Sequence, residues 1–64
     1  MQEYNLAIEI LLKAFRINPK NAICCYNLGF SYWKIGNLEK SKYFMNLAAN
    51  EKLKEAIIFI NEKL

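Results

Sequence analysis

A glycine placed where a helix is otherwise demanded is the strongest constraint on this chain. Gly29 sits in Asn27-Leu28-Gly29-Phe30-Ser31-Tyr32, inside a run whose apolar spacing is helical from about residue 22 to residue 35. Glycine in a helix interior costs about 1 kcal/mol relative to alanine, so it marks a backbone that a second helix approaches closely. The turn at Gly36-Asn37 follows, with glycine supplying the left-handed residue that ends many helices. Any fold must therefore press a neighbouring helix against Gly29 and then reverse the chain.

Upstream, residues 3–17 place Tyr4, Ala7, Ile8, Leu11, Leu12 and Phe15 on one helical stripe, with Glu9, Lys13 and Arg16 between them. Leu6, Ile10 and Ile17 widen that stripe almost all the way round. Asn18-Pro19 stops the helix, because proline disfavours helical geometry in the residue before it, and Asn21 is placed to cap the next one. That next helix is apolar on two sides. Ile23, Tyr26, Phe30 and Trp33 lie along one and Cys25, Leu28, Gly29 and Tyr32 along the other, which predicts that it is sandwiched. Residues 38–50 repeat the stripe with Leu38, Ser41, Phe44, Met45, Ala48 and Ala49. Residues 53–64 bring Leu53, Ala56, Ile57, Ile60 and Leu64 together, with Ile58 and Phe59 flanking them. Nothing reads as a strand. The expectation is an all-α chain of about four helices in antiparallel hairpins.

A chain of 64 residues is one small domain, and such a domain buries only about 60% of its unfolded surface. It needs bracing from oligomerisation or from neighbouring sequence. Two cysteines and no histidine are too few ligands for structural zinc, and no cofactor is expected. Cys24 and Cys25 are adjacent, where a bridge is strained, so the thiols are read as reduced and the chain as cytoplasmic. Cys25 has no base beside it and falls on an interior position, as a small core residue rather than a nucleophile. With no histidine and no aspartate, little material remains for acid–base chemistry, and no enzyme is expected. Nine basic and six acidic residues leave a net charge of +3. The lysines are scattered, and Lys40 and Lys42 do not share a helix face, so the pattern is a solvated surface rather than a nucleic-acid footprint. No apolar run reaches the roughly 18 residues of a membrane span. Met1-Gln2-Glu3 also lacks the basic region and apolar core that open a signal peptide.

The chain also resembles itself. Displaced by thirty-four residues, Ala7 meets Ser41, Leu11 meets Met45, Ala14 meets Ala48, Ala22 meets Ala56, Ile23 meets Ile57 and Asn27 meets Asn61. That period, with the Leu28-Gly29-x-x-Tyr32 spacing, resembles the tetratricopeptide repeat family. Leu28, Gly29, Tyr32 and Ala48 match its pattern in the central repeat, and Ala7, Leu11, Ala14 and Pro19 match in a leading half-repeat. On this reading Gly29 admits the paired helix near Ala48 and Ser41, while Leu28 and Tyr32 fill the seam. Cys25, Ser41, Met45 and Leu53 depart from it, standing where the family favours tryptophan, alanine, a large aromatic and proline. Phe59 suits the tryptophan slot of a following repeat, but Glu62 and Lys63 occupy its leucine and glycine slots. The resemblance implies one repeat domain over residues 1–64, wound as a right-handed superhelix. Its parts would be a second helix of a leading repeat at 3–17, a central repeat at 22–50, and a capping or next first helix at 53–64.

The resemblance also implies a job: docking another protein on the wall built by the first helix of each repeat. Carried over by position, that wall shows Ile23, Tyr26, Phe30, Trp33 and Lys34, continued by Ile57, Ile60 and Leu64. A partner peptide or helix is the expected ligand. The bland alternative packs Tyr26, Phe30 and Trp33 on the leading or final helix within the chain. Tyr26 and Phe30 stand where chaperone-binding relatives hold a carboxylate with polar groups, so a carboxylate clamp is not expected. The helix at 3–17 lacks its own first helix, which leaves one apolar side without an obvious cover. Either the chain is cut from a longer solenoid, or two copies cover each other as a homodimer, with or without exchanged helices and with the aromatic wall in the contact.

Overall fold

The computed structural model describes residues 3–64, so Met1 and Gln2, where the domain and the reading of the start begin, lie outside the described residues. Among the described residues there are four helices and no strand: α1 (Tyr4–Ile17), α2 (Ala22–Lys34), α3 (Leu38–Asn50) and α4 (Lys54–Lys63). They match the expected boundaries to within a residue or two.

Each turn has an identifiable chemical cause. The Asn21 side chain accepts a hydrogen bond from the Cys24 amide at 3.1 Å, capping α2, and Asn37 does the same for α3 from the Lys40 amide at 3.1 Å. Gly36 takes φ +85°, and two bonds close the end of α2 around it: Asn37 N–H to Tyr32 C=O at 2.9 Å and Gly36 N–H to Trp33 C=O at 3.1 Å. That paired pattern is a Schellman stop. The same stop ends α3, with Leu53 N–H on Ala48 C=O at 3.2 Å and Lys52 N–H on Ala49 C=O at 2.8 Å. Here Lys52 holds the left-handed position, at φ 67°. A side chain in that region is strained by its Cβ, where glycine is not.

The core forms two clusters on either side of α2. Ile8, Cys24, Leu28, Tyr32 and Phe44 make the first, between α1, α2 and α3, with Leu11, Leu12 and Phe15 packed against it. Cys25, Met45, Ala48, Ala56 and Phe59 make the second, between α2, α3 and α4. Phe15 and Leu47 touch both. The predicted sandwiching of α2 is what the structure has.

Gly29 sits where α2 and α3 cross, but its close neighbour is Met45 in place of the expected Ala48. A Cβ built on Gly29 would lie 2.7 Å from Met45 Cγ and 3.1 Å from Met45 N. The expected approach of Ser41 is present, its hydroxyl donating to the Gly29 carbonyl at 2.8 Å. Ser41 is fully buried, so that bond keeps its hydroxyl from being an unpaired polar group in the core. Ala14, which mirrors the buried Ala48 at the repeat offset, is exposed, with no helix of the described residues lying over it. On α4 the buried face turns toward Phe59, read in sequence as flanking, and leaves Ile57 and Ile58 at 43% and 53% exposure. The aromatic side chains of α2 make a better seat for a ring than for an aliphatic.

Two outcomes follow for stability. Gly29→Ala gains about 1 kcal/mol of helix propensity but loses more to overpacking against a buried methionine, for a net loss of about 1–2 kcal/mol in urea unfolding. Lys52→Gly acts in the opposite sense and stabilises the chain by about 0.5–1 kcal/mol, since it removes the left-handed strain without touching a contact. Equal denaturation midpoints for Lys52→Gly and the parent would contradict the strain argument.

Candidate functional site

The helical period of α2 divides its surface into four strips. Cys24, Leu28 and Tyr32 serve the first cluster, while Cys25 and Gly29 lie against α3. Tyr26, Phe30 and Trp33 turn toward α4, where all three meet the buried ring of Phe59. The Trp33 contact is edge-on at 5.4 Å between ring centroids, Phe30 lies at 6.2 Å and Tyr26 at 6.3 Å. Edge-to-face pairs at such separations contribute about 0.5–1.5 kcal/mol each beyond simple burial. Tyr4 of α1 adds a further edge contact to Phe30 at 6.3 Å. The fourth strip is free: Ile23 is 64% exposed, and Asn27 and Lys34 are exposed beside the half-buried Phe30.

The predicted wall residues therefore separate into two kinds. Tyr26, Phe30, Trp33 and Ile60 are half-buried, each with one side packed on the second cluster. Ile23, Lys34 and Ile57 are exposed and lie outside it. Leu64 is half-buried beside Ile60 in the same cluster. The packing that the bland reading anticipated is thus present on one side of each ring, and Phe59 is its centre. Phe59 was legible only through its place in the repeat, since its helical stripe assigns it to a flank.

Sequence reasoning also passed over Asn27 and Asn61. Ile23, Asn27, Phe30 and Lys34 follow one another at spacings of four, three and four residues, which puts them on one line of α2. At the repeat offset the line recurs on α4 as Ile57, Asn61 and Leu64. The self-alignment already paired Asn27 with Asn61, and that pairing was the available signal.

Charge at this wall is positive. The Lys34 ammonium lies 5.5 Å from the centroids of both the Phe30 and Trp33 rings, and that of Lys63 lies 5.8 Å from the Trp33 ring. These are cation–π distances, and each contact holds an amine near the aromatic surface. An open depression of about 390 Å³ borders the strip on its other flank, lined by Ala7, Ile10, Leu11, Asn27, Phe30 and Ser31. A second, of about 340 Å³, lies away from the wall between Leu12, Tyr32, Tyr43 and Phe44.

The two cysteines are placed as core groups. Cys25 is fully buried and its Sγ donates toward the Pro19 carbonyl at 3.5 Å, while Cys24 Sγ donates toward Leu11 C=O at 3.4 Å. Burial pushes both thiols above their usual range, and for Cys25 the neighbouring Cys24 and the Glu51 carboxylate add to it. Both changes disfavour the reactive thiolate. Among the described residues no group of acidic and cysteine side chains stands close enough to hold a metal, and no helix is long and apolar enough to cross a membrane.

These features define a helical-repeat protein whose first-helix face carries an exposed strip in repeated register. The family model described as TPR repeat matches residues 1–36, and one described as tetratricopeptide repeat matches residues 22–52; the chain belongs to the tetratricopeptide repeat family. Repeats of this family generally mediate protein–protein interaction and are non-catalytic. No curated protein and no solved structure matches the chain.

Phe59→Leu tests the floor of the wall. It removes the ring that three aromatics share and costs about 1–2 kcal/mol. Trp33 is the sole tryptophan, so its emission reports the change directly and shifts to the red as water reaches it. Unaltered emission and stability would mean that Phe59 is not the centre of this cluster.

Proposed function

We propose that the chain is a non-catalytic docking module that receives a partner peptide or helix along α2 and α4. The observation carrying this reading is the repeated line Ile23-Asn27-Phe30 on α2 and Ile57-Asn61-Leu64 at α4, exposed at its isoleucines and asparagines and half-buried at Phe30 and Leu64. Ile23 and Ile57, with the outward sides of Tyr26, Phe30, Trp33 and Ile60, offer apolar seats for two or three partner side chains. Asn27 and Asn61 each present an amide that both donates and accepts, which suits a peptide backbone passing between those seats. Lys34 adds a positive rim, so the preferred partner is apolar with acidic neighbours. Three half-buried rings, Tyr26, Phe30 and Trp33, supply pre-formed contact area at little entropic cost, because their rotamers are already held by Phe59 and, for Phe30, by Tyr4.

Other classes are less well supported. Raised thiol pKa values and the lack of histidine and aspartate argue against an enzyme. A net charge of +3, spread over several faces, is too small and too dispersed for a phosphate-tracking surface. Two free, buried cysteines fit a reducing, cytoplasmic setting.

Selection of displayed peptides against the chain tests the reading. The selected sequences are expected to combine leucine or phenylalanine with glutamate or aspartate, and to bind as labelled synthetic peptides with Kd on the order of 1–100 µM. Ile23→Glu and Lys34→Glu each weaken that binding about tenfold with helical content unchanged, while Leu38→Gln on α3 has no effect. Peptides that survive both wall substitutions, or a selection that returns no binder, would overturn the proposal.

A further inference from the structure

The helix α1 has two apolar faces, and the fold covers only one. Ile8, Leu11, Leu12 and Phe15 pack on the first cluster. On the opposite side Leu6, Ile10 and Ile17 are 53%, 59% and 86% exposed. Their spacings of four and seven residues set them on one line, with the small, exposed Ala14 beside it. Three large aliphatic side chains in a row on one exposed helix face form a contiguous patch of the kind that marks an interface.

We propose that this stripe pairs α1 with α1 of a second copy of the chain, antiparallel about a two-fold axis. Charge selects that occupant. The acidic residues of this segment, Glu3 and Glu9, lie in its first half, and its basic residues, Lys13 and Arg16, lie in its second half. Reversing one helix over the other brings Leu6 over Ile17 of the second copy and seats Ile10 between Lys13 and Ala14 of the second copy. In a two-fold antiparallel pair, each flank of one helix meets the same flank of the other. Glu9 and Lys13 share a flank one turn apart, so each Glu9 meets Lys13 of the second copy, and the contact occurs twice. A parallel pair would set the Glu9–Lys13 flank of each copy against the opposite flank, which carries Ala7 and Ala14, and would make neither charge contact. Antiparallel pairing also opposes the two helix dipoles. The contact uses one face of one helix, well below the roughly 1,200 Å² of a standard interface, so the dimer is weak, with Kd on the order of 100 µM. It leaves the α2–α4 wall open and does not depend on the docking reading.

Sedimentation equilibrium of the full chain across the micromolar to millimolar range tests it. The expected behaviour is a monomer–dimer equilibrium that Ile10→Glu abolishes and that Ile23→Glu does not affect. Glu9→Lys and Lys13→Glu each weaken association about tenfold, since two contacts become repulsions in each homodimer. An equimolar mixture of those two variants regains the association, as does the double reversal Glu9→Lys/Lys13→Glu, which also shows that neither change acts by unfolding. A chain that stays monomeric at the highest attainable concentration overturns the proposal. So does a dimer indifferent to both charge reversals, or one lost through Ile23→Glu and not through Ile10→Glu.

Discussion

The approach of α3 to Gly29 is the contact on which the rest of the molecule depends. Glycine alone lets Met45 Cγ come to 2.7 Å from where a Cβ would sit, and only at that separation does the Ser41 hydroxyl reach the Gly29 carbonyl at 2.8 Å. The two features are coupled. A wider spacing would leave a buried hydroxyl unpaired, and a smaller side chain than Met45 would leave a void in the second cluster, where Met45 and Cys25 are fully buried. With α2 fixed against α3 in this way, the helical period alone settles where its other faces point. Cys24 turns to α1, the three aromatics to α4, and Ile23, Asn27 and Lys34 to solvent.

Two phenylalanines convert that geometry into a core large enough for so short a chain. Phe44 is stacked on Tyr32 at 5.7 Å and meets Phe15 edge-on at 5.3 Å, joining α1, α2 and α3. Phe59 does the equivalent for α4 through Tyr26, Phe30 and Trp33. The wall is consequently a by-product of packing. Its rings are oriented by the core and merely finish at the surface, which is why the same side chains answer to both a structural and a docking description.

Much of this was legible in the residues. Asn18-Pro19 and Gly36-Asn37 carry strong stop chemistry, and the helices they bound fall where expected. The turn at Glu51-Lys52-Leu53 contains no glycine, proline or asparagine, and Lys52 adopts a left-handed conformation that its type disfavours. The break between two apolar stripes, at 38–50 and 53–64, located that turn without any turn residue. Ala48 was the natural partner for a helix-crossing glycine because both are small, yet a helix crossing is set by ridges meeting grooves, and the ridge that fills the Gly29 gap is Met45. The wall was legible as an apolar stripe but not in its division, since hydropathy does not distinguish a ring packed on Phe59 from an isoleucine in water. Asn27 and Asn61 escaped for the opposite reason: attention to apolar spacing discards polar residues lying on the same line.

The two outer helices of the array differ in chemistry although the repeat relates their neighbours. At the offset that carries α2 onto α4, Leu28 and Gly29 become Glu62 and Lys63, both exposed. A lysine in the register position of Gly29 would place a full side chain where α2 admits a partner helix at van der Waals contact. The free side of α4 therefore resists the kind of close crossing that α3 makes on α2. The free side of α1 has the reverse character, with Leu6, Ile10 and Ile17 exposed around Ala14. A head-to-tail stack, in which α1 of one copy docks on α4 of the next, would have to bury that charged pair and would propagate without closing. Pairing through α1 alone buries no such pair and ends at two copies, so the same asymmetry that makes α4 a poor acceptor makes a closed association the better outlet for the apolar side of α1.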